Sequence, residues 1–248
     1  MCAILSRPTD IDRTTVADMG TLRVGVMVPV PPFTQGDGGE PAGLDIDLMS
    51  AIASSLGDEV EFVGHETFDA LFDALAAGDV DCVTGGATVT PEREKRATFA
   101  PPYLITGQAL AADTGRHPHV HSVDDLGGLT IGVRRGSTGR PIAERLVAEG
   151  RAKAVAVCDQ AGLPIGDCDA FIALAPVLTE LTKPLTGVDV VQKGLSVENV
   201  AVAVADHDQQ MLSRIAVAQA ELEEAGTLQQ IRRKWLGNPY ADQTLAVH

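Results

Sequence analysis

The densest concentration of groups able to do chemistry is the run Gly85-Gly86-Ala87-Thr88-Val89-Thr90-Pro91-Glu92-Arg93-Glu94-Lys95-Arg96, followed closely by Phe99-Ala100-Pro101-Pro102-Tyr103. An apolar strand, Asp81–Thr84, leads into two glycines, then hydroxyls, then a helix begun by proline and carrying an arginine. Backbone N–H groups at such a glycine turn, and at a helix N-terminus, can donate to an anion. Thr88 adds a hydroxyl, and Arg93 a planar guanidinium whose paired N–H groups match a carboxylate. Each part has a plainer reading: the glycines allow a tight turn, and Arg93 pairs with nearby acids. Their conjunction at this spacing favours recognition of a small carboxylate.

Other chemistries find less support. His65, His117, His119 and His121 fall in predicted loops, and no Ser/His/Asp or Cys/His arrangement can be argued. The run His117-Pro118-His119-Val120-His121 could take a metal adventitiously, but reads first as a polar loop. None of the four cysteines forms a CxxC or zinc spacing, so no cofactor or metal is expected. Cys82 reads as a small buried apolar residue, whereas Cys158 and Cys168 bracket an irregular stretch that oxidation could bridge.

The elements that must position these groups follow from periodicity. Strands are expected at Leu22–Val28, Glu59–Val63, Asp81–Thr84, Leu129–Val133, Val155–Val157, Ala170–Ala173, Val188–Val191 and Val200–Val204. Helical spacing appears at Leu44–Leu56, ended by Gly57, and at Phe68–Leu75, ended by Gly78. Further helices are expected at Ser122–Leu126, Thr138–Glu149, Pro176–Leu181 and, in one long piece, Gln209–Trp235. The alternation indicates parallel α/β sheets, and its restart near the middle of the chain indicates two lobes with a cleft between them. At 248 residues the chain can fill two modest cores. Its formal net charge of −15 argues against nucleic acid and against an anionic membrane surface. Residues 1–20 read as a tail without a secretory apolar segment. Two localisations follow: periplasmic or extracellular, with lipid anchoring at Cys2 conceivable, if a signal was removed; cytoplasmic if it was not.

The glycine–arginine run resembles the A-G-M-T-I-T-P-E-R…F-S-x-P-Y signature of family 3 solute-binding proteins, the polar amino-acid receptors of ABC importers. Gly43-Leu44-Asp45-Ile46-Asp47-Leu48 is similar to that family's G-F-D-x-D-L, and Gly132-Val133-Arg134-Arg135-Gly136-Ser137-Thr138 to its V-G-V-x-x-G-T-T. Leu195-Ser196-Val197-Glu198 and Lys234-Trp235-Leu236-Gly237 match L-S-P-E and K-W-F-G. The resemblance implies a Venus-flytrap fold: lobe 1 from residues 21–106 and 195–248, lobe 2 from 107–194, with two hinge crossings. It implies a monomer that is not an enzyme and that closes on a ligand to signal to a permease. It also implies that Arg93, Thr88 and backbone N–H near Gly86 clamp an α-carboxylate, that Phe68 packs on the ligand, and that Ser137 and Thr138 complete the cage. Arg134 stands where a side chain can face the ligand, though a solvated arginine is the equal alternative, as a core role is for Phe68.

Three departures from the family pattern matter. Met27 and Val30 occupy places where relatives carry an acid and an aromatic, and Asn199 replaces a glycine. Leu174, between Ala173 and Ala175, stands where relatives hold the ligand's ammonium with an aspartate. The segment before it, Gln160–Asp167, is also short and carries Gly and Pro. Enclosing an ammonium without an anionic partner costs several kcal/mol, so a small carboxylate or dicarboxylate is expected, with an acidic amino acid next, unless Asp159 or Asp169 substitutes. Two other roles stay open: a sensing domain for a signalling partner, and a dehydratase related to those acting on prephenate, which would need a cleft acid that Leu174 does not supply.

Overall fold

The computed structural model describes residues 20–36, 40–159, 162–163 and 166–237. Helix α1 (Leu44–Leu56) buries Leu44, Leu48, Met49 and Ile52, and α2 (Phe68–Ala77) buries Leu71, Phe72 and Leu75. Thr67 caps α2 by accepting the Ala70 N–H, and the two helices end at Gly57 and Gly78. Both lie against the first sheet. Its parallel strands are β1 (Thr21–Met27), β2 (Glu59–His65) and β3 (Cys82–Thr84). Two further strands, β4 (Ala97–Phe99) and β12 (Ala203–Ala205), complete the order β2-β1-β3-β12-β4, with β12 antiparallel to both neighbours. Leu22, Val24, Met27, Leu48, Ile52 and Phe72 are essentially inaccessible there. Burial of each such side chain stabilises the lobe by about 1.5–3 kcal/mol.

The second lobe repeats the scheme on a smaller core of Leu110, Leu126, Ile131, Leu146 and Ile172. Its sheet is ordered β10-β6-β9-β7-β8, from β6 (Gln108–Asp113), β7 (Thr130–Arg134), β8 (Ala154–Cys158), β9 (Ala170–Leu174) and β10 (Val188–Gln192). Helices α4 (Gly139–Ala148) and α5 (Ala175–Thr182) follow β7 and β9. Two extended crossings join the lobes as an antiparallel pair, β5 (Leu104–Thr106) with β11 (Glu198–Val200). Just beyond it, Gly107 lies so close to the Ser196 carbonyl that a Cβ would sit 2.0 Å from the oxygen. No larger residue fits that crossing without moving a strand.

Several expectations need correction. The sheets are mixed rather than parallel, because β6, β10 and β12 run antiparallel to their neighbours. The run Val200–Val204 is not one strand: Val200 ends the crossing and Ala203 begins β12 in another sheet. The long last helix is two, α6 (Gln209–Glu224) and α7 (Thr227–Leu236), broken at Gly226. Ser122–Leu126 forms a single 3-10 turn, Val123–Asp125, held by a Ser122/Asp125 capping box. Strand β6 was not anticipated; its sequence, QALAAD, is alanine-rich and weakly β-forming. Residues 1–19, including Cys2, fall outside the described residues.

Candidate functional site

Between the lobes lies a cavity with about 770 Å³ of atom-free space, open solvent at its mouth included. Its first wall comes from the segment after β3. There the glycine turn is organised by a residue forty positions earlier in the chain. Asp45, buried at the start of α1, accepts Gly85 N–H (2.7 Å), Gly86 N–H (2.8 Å) and the Thr84 hydroxyl (2.7 Å) on one oxygen. Gly85 adopts φ 105°, and a Cβ on it would meet Met27 at 2.5 Å, so the turn needs glycine twice over. Burial pushes the Asp45 carboxyl up, against those hydrogen bonds. The expectation that glycine N–H groups face an anion is therefore corrected: Asp45 already takes them. The short helix α3 (Pro91–Glu94) does not offer its N-terminus either, since Thr90 caps the Arg93 N–H.

The donors of this wall are Arg93 and the Thr88 backbone N–H. Arg93 Nη1 donates to Thr88 O (2.8 Å) and Nη2 crosses to Gly136 O of lobe 2 (3.2 Å). Phe68 supports the guanidinium, which stands 4.1 Å from the ring centroid, so this residue serves the arginine as well as the cavity wall. Burial draws Arg93 down to about 10, with Glu198 and Asp69 opposing the fall, so it is cationic at neutral pH. Thr88 bridges Val200, with bonds running from the residues on either side (Ala201 N to Ala87 O, Val89 N to Asn199 O). Its own N–H therefore points away from Val200, along the edge on which Arg93 holds its carbonyl. A guanidinium and an N–H on one edge are donors whose geometry suits a carboxylate.

Glu198 was not singled out by the sequence beyond its place in a motif. Its carboxylate, 8% exposed, accepts Thr88 Oγ1 (2.8 Å) from lobe 1 and Thr138 Oγ1 (2.7 Å) from lobe 2 on Oε2, and Ser196 Oγ (2.9 Å) on Oε1. It ties both walls to the crossing. Gln108, wholly buried, donates to Thr138 (2.9 Å), and the Ser137 hydroxyl is buried with no partner.

The second wall is apolar. Phe171, Ile172, Ala173, Leu174 and Val177 line it, together with Leu163 and Leu181. Leu174 ends β9 and faces the cavity at 8% exposure, and Val30 faces it from lobe 1. Met27 does not: it is 0% exposed inside the lobe 1 core, beneath Gly85. Among the described residues the lining contains no Asp or Glu. Neither acid that could have replaced the missing one does so. Asp169 is held by Thr130 N–H, Arg116 and His117, each at 2.9 Å, and these outweigh burial to keep its carboxyl low. Asp159 is exposed and paired with Arg135. Arg134 lines the cavity and, half-buried, donates to lobe 1 carbonyls, Pro29 O (2.8 Å) and Glu66 O (3.4 Å), so it spans the mouth. No group of three or more His, Cys, Asp and Glu able to hold a metal occurs among the described residues.

The model of the bacterial extracellular solute-binding proteins, family 3, matches residues 22–238. Similar chains include the L-cystine-binding protein TcyJ of Escherichia coli, 28% identical over 90% of this chain and 85% of its own length. Among solved structures, an ancestral arginine-binding protein bound to arginine superposes with TM-score 0.80 and 35% identity, covering 88% of this chain and 99% of its own. A histidine kinase sensor domain with similarity to periplasmic binding proteins superposes with TM-score 0.77 and 27% identity, covering 88% and 97%.

Proposed function

Because the chain belongs to the bacterial extracellular solute-binding proteins of family 3, a family of binding proteins rather than enzymes, we propose that it is the monomeric receptor of an ABC importer and closes on a monocarboxylate with an apolar body. One observation supports the reading: Arg93 lines the cleft, whereas its apolar wall ends at Leu174 and, among the described residues, the lining holds no Asp or Glu. Relatives are named for cystine and arginine, both amino acids and so both carboxylates, which supports a carboxylate head on the ligand. Charge counting agrees. Arg93 and Arg134 against Glu198 leave one positive charge around the cleft, which a monoanion neutralises. Asp69 is exposed and paired with Arg96, so solvent screens it. A zwitterion would leave the excess in place, and a dicarboxylate would overshoot it against an apolar second wall. Family membership supports an extracellular or periplasmic location; whether a lipid holds the protein there is a separate question for the N-terminal residues.

A thermal-shift panel of amino acids, hydroxy acids, aliphatic acids and dicarboxylates tests the reading. A ligand at 100 times its dissociation constant adds about 2.7 kcal/mol of stability. Branched or aromatic monocarboxylates should give the largest shifts. A larger shift from a neutral or basic amino acid would overturn the proposal. A second reading, a sensing module for a signalling partner, is supported by the likeness to the histidine kinase sensor domain. It would use the same cleft, and a permease–ATPase pair that is stimulated by the loaded receptor would decide for transport.

A further inference from the structure

The polar end of the cleft has an arrangement of protons that the carboxylate grip does not explain. Thr88 Oγ1 and Thr138 Oγ1 both lie within hydrogen-bond distance of Glu198 Oε2, at 2.8 and 2.7 Å. An ionised carboxylate only accepts, so each threonine spends its single hydroxyl proton on Glu198. Ser196 cannot relieve them, because it receives the Gln108 N–H (2.9 Å) and gives its own proton to the other Glu198 oxygen (2.9 Å). Thr138 additionally receives Gln108 Nε2. With their protons committed, the two cavity-lining threonines keep only lone pairs for a ligand, beside the donors Arg93, Thr88 N–H and the unpartnered Ser137 hydroxyl.

From this polarity we infer that the ligand carries, on the carbon next to its carboxylate, an uncharged hydrogen-bond donor: it is an α-hydroxy acid with a branched aliphatic or aromatic body. The inference rests on the carboxylate reading above and names its ligand class. A hydroxyl donates to the threonine lone pairs and brings no charge. An ammonium donates as well, but its charge meets Leu174 and the apolar wall, while Glu198 is already committed to three hydroxyls. A keto oxygen would face lone pairs with lone pairs, and a methylene would leave them dry. Glu198 thus acts as a positioning residue that sets which way the hydroxyls point.

Calorimetric titration of the wild type with three acids of one carbon skeleton tests this: leucate, its keto counterpart, and isocaproate, which lacks the oxygen. Leucate should bind tighter than either by about tenfold or more. Glu198→Gln, which places an amide donor among the hydroxyls, should bring the three within about threefold of one another. Equal binding of the keto acid or isocaproate by the wild type overturns the inference and leaves the carboxylate reading standing, whereas tighter binding of leucine, titrated alongside, than of leucate overturns both. Absence of binding by all three, with phenyllactate equally silent, removes the carboxylate reading and this inference together.

Discussion

The two walls of the cleft are built on opposite principles. In the wall from lobe 1, the polar side chains are held from within the fold: Asp45 fixes the glycine turn, Phe68 carries the guanidinium, and Thr88 is oriented from behind by Glu198. In the wall from lobe 2, the strand end and helix start that face it offer Ile172, Ala173, Leu174 and Val177, with polarity at Gln108, Arg134, Ser137 and Thr138. Under the proposed reading, the contrast means that the grip on the ligand's head is preorganised in one lobe, while the other lobe selects by what it refuses to solvate. A buried charge unmatched on that side is costly, whereas apolar surface is welcome.

Removing the grip should have the largest effect. Arg93→Ala deletes the one cation aimed at the head group and its bond to Gly136, and affinity for any carboxylate ligand should fall by about a hundredfold or more, as calorimetry would measure. Converting the refusing wall comes next. Leu174→Asp should raise affinity for the matching amino acid by about tenfold or more and lower that for the ammonium-free acid, collapsing the contrast between walls. Arg134→Ala takes away two contacts from lobe 2 to the Pro29 and Glu66 carbonyls at the mouth, and should weaken binding by about tenfold while small-angle scattering shows a larger open fraction. The smallest effect is with pH. Arg93 is needed in its protonated form and titrates at about 10. Affinity should therefore stay level from about pH 6 to pH 8 and be lost as pH rises through that value, with the bound anion moving the midpoint upward.

Much of this was legible in the chain, for local reasons. Helix stripes such as Leu44, Leu48 and Ile52 follow from spacing alone, and Phe68, Thr88, Arg93, Ser137, Thr138 and Leu174 all line the cleft in the structure. What escaped were pairings across long separations. The two acids of Gly43–Leu48 are a case in point: Asp45 holds the glycine turn, and Asp47 receives Trp235 Nε1 (2.7 Å) and Lys234 Nζ (2.6 Å) at the other end of the chain. Each is a partner within the fold, which a motif alone cannot say. Glu198 escaped for the same reason, standing 110 positions from Thr88. Gly226, by contrast, was a visible stop signal after Glu223-Glu224-Ala225, overridden by the helical pattern on both sides.

The central claim is that the cleft holds a negative head and, among the described residues, lines itself with no carboxylate for a positive one. It is tested most directly by titrating the wild-type protein, at neutral pH, with phenylalanine and with phenylpropionate, which share a skeleton and differ in the ammonium. The account predicts that phenylpropionate binds tighter, by about tenfold or more. Tighter binding of phenylalanine by the same margin would contradict it.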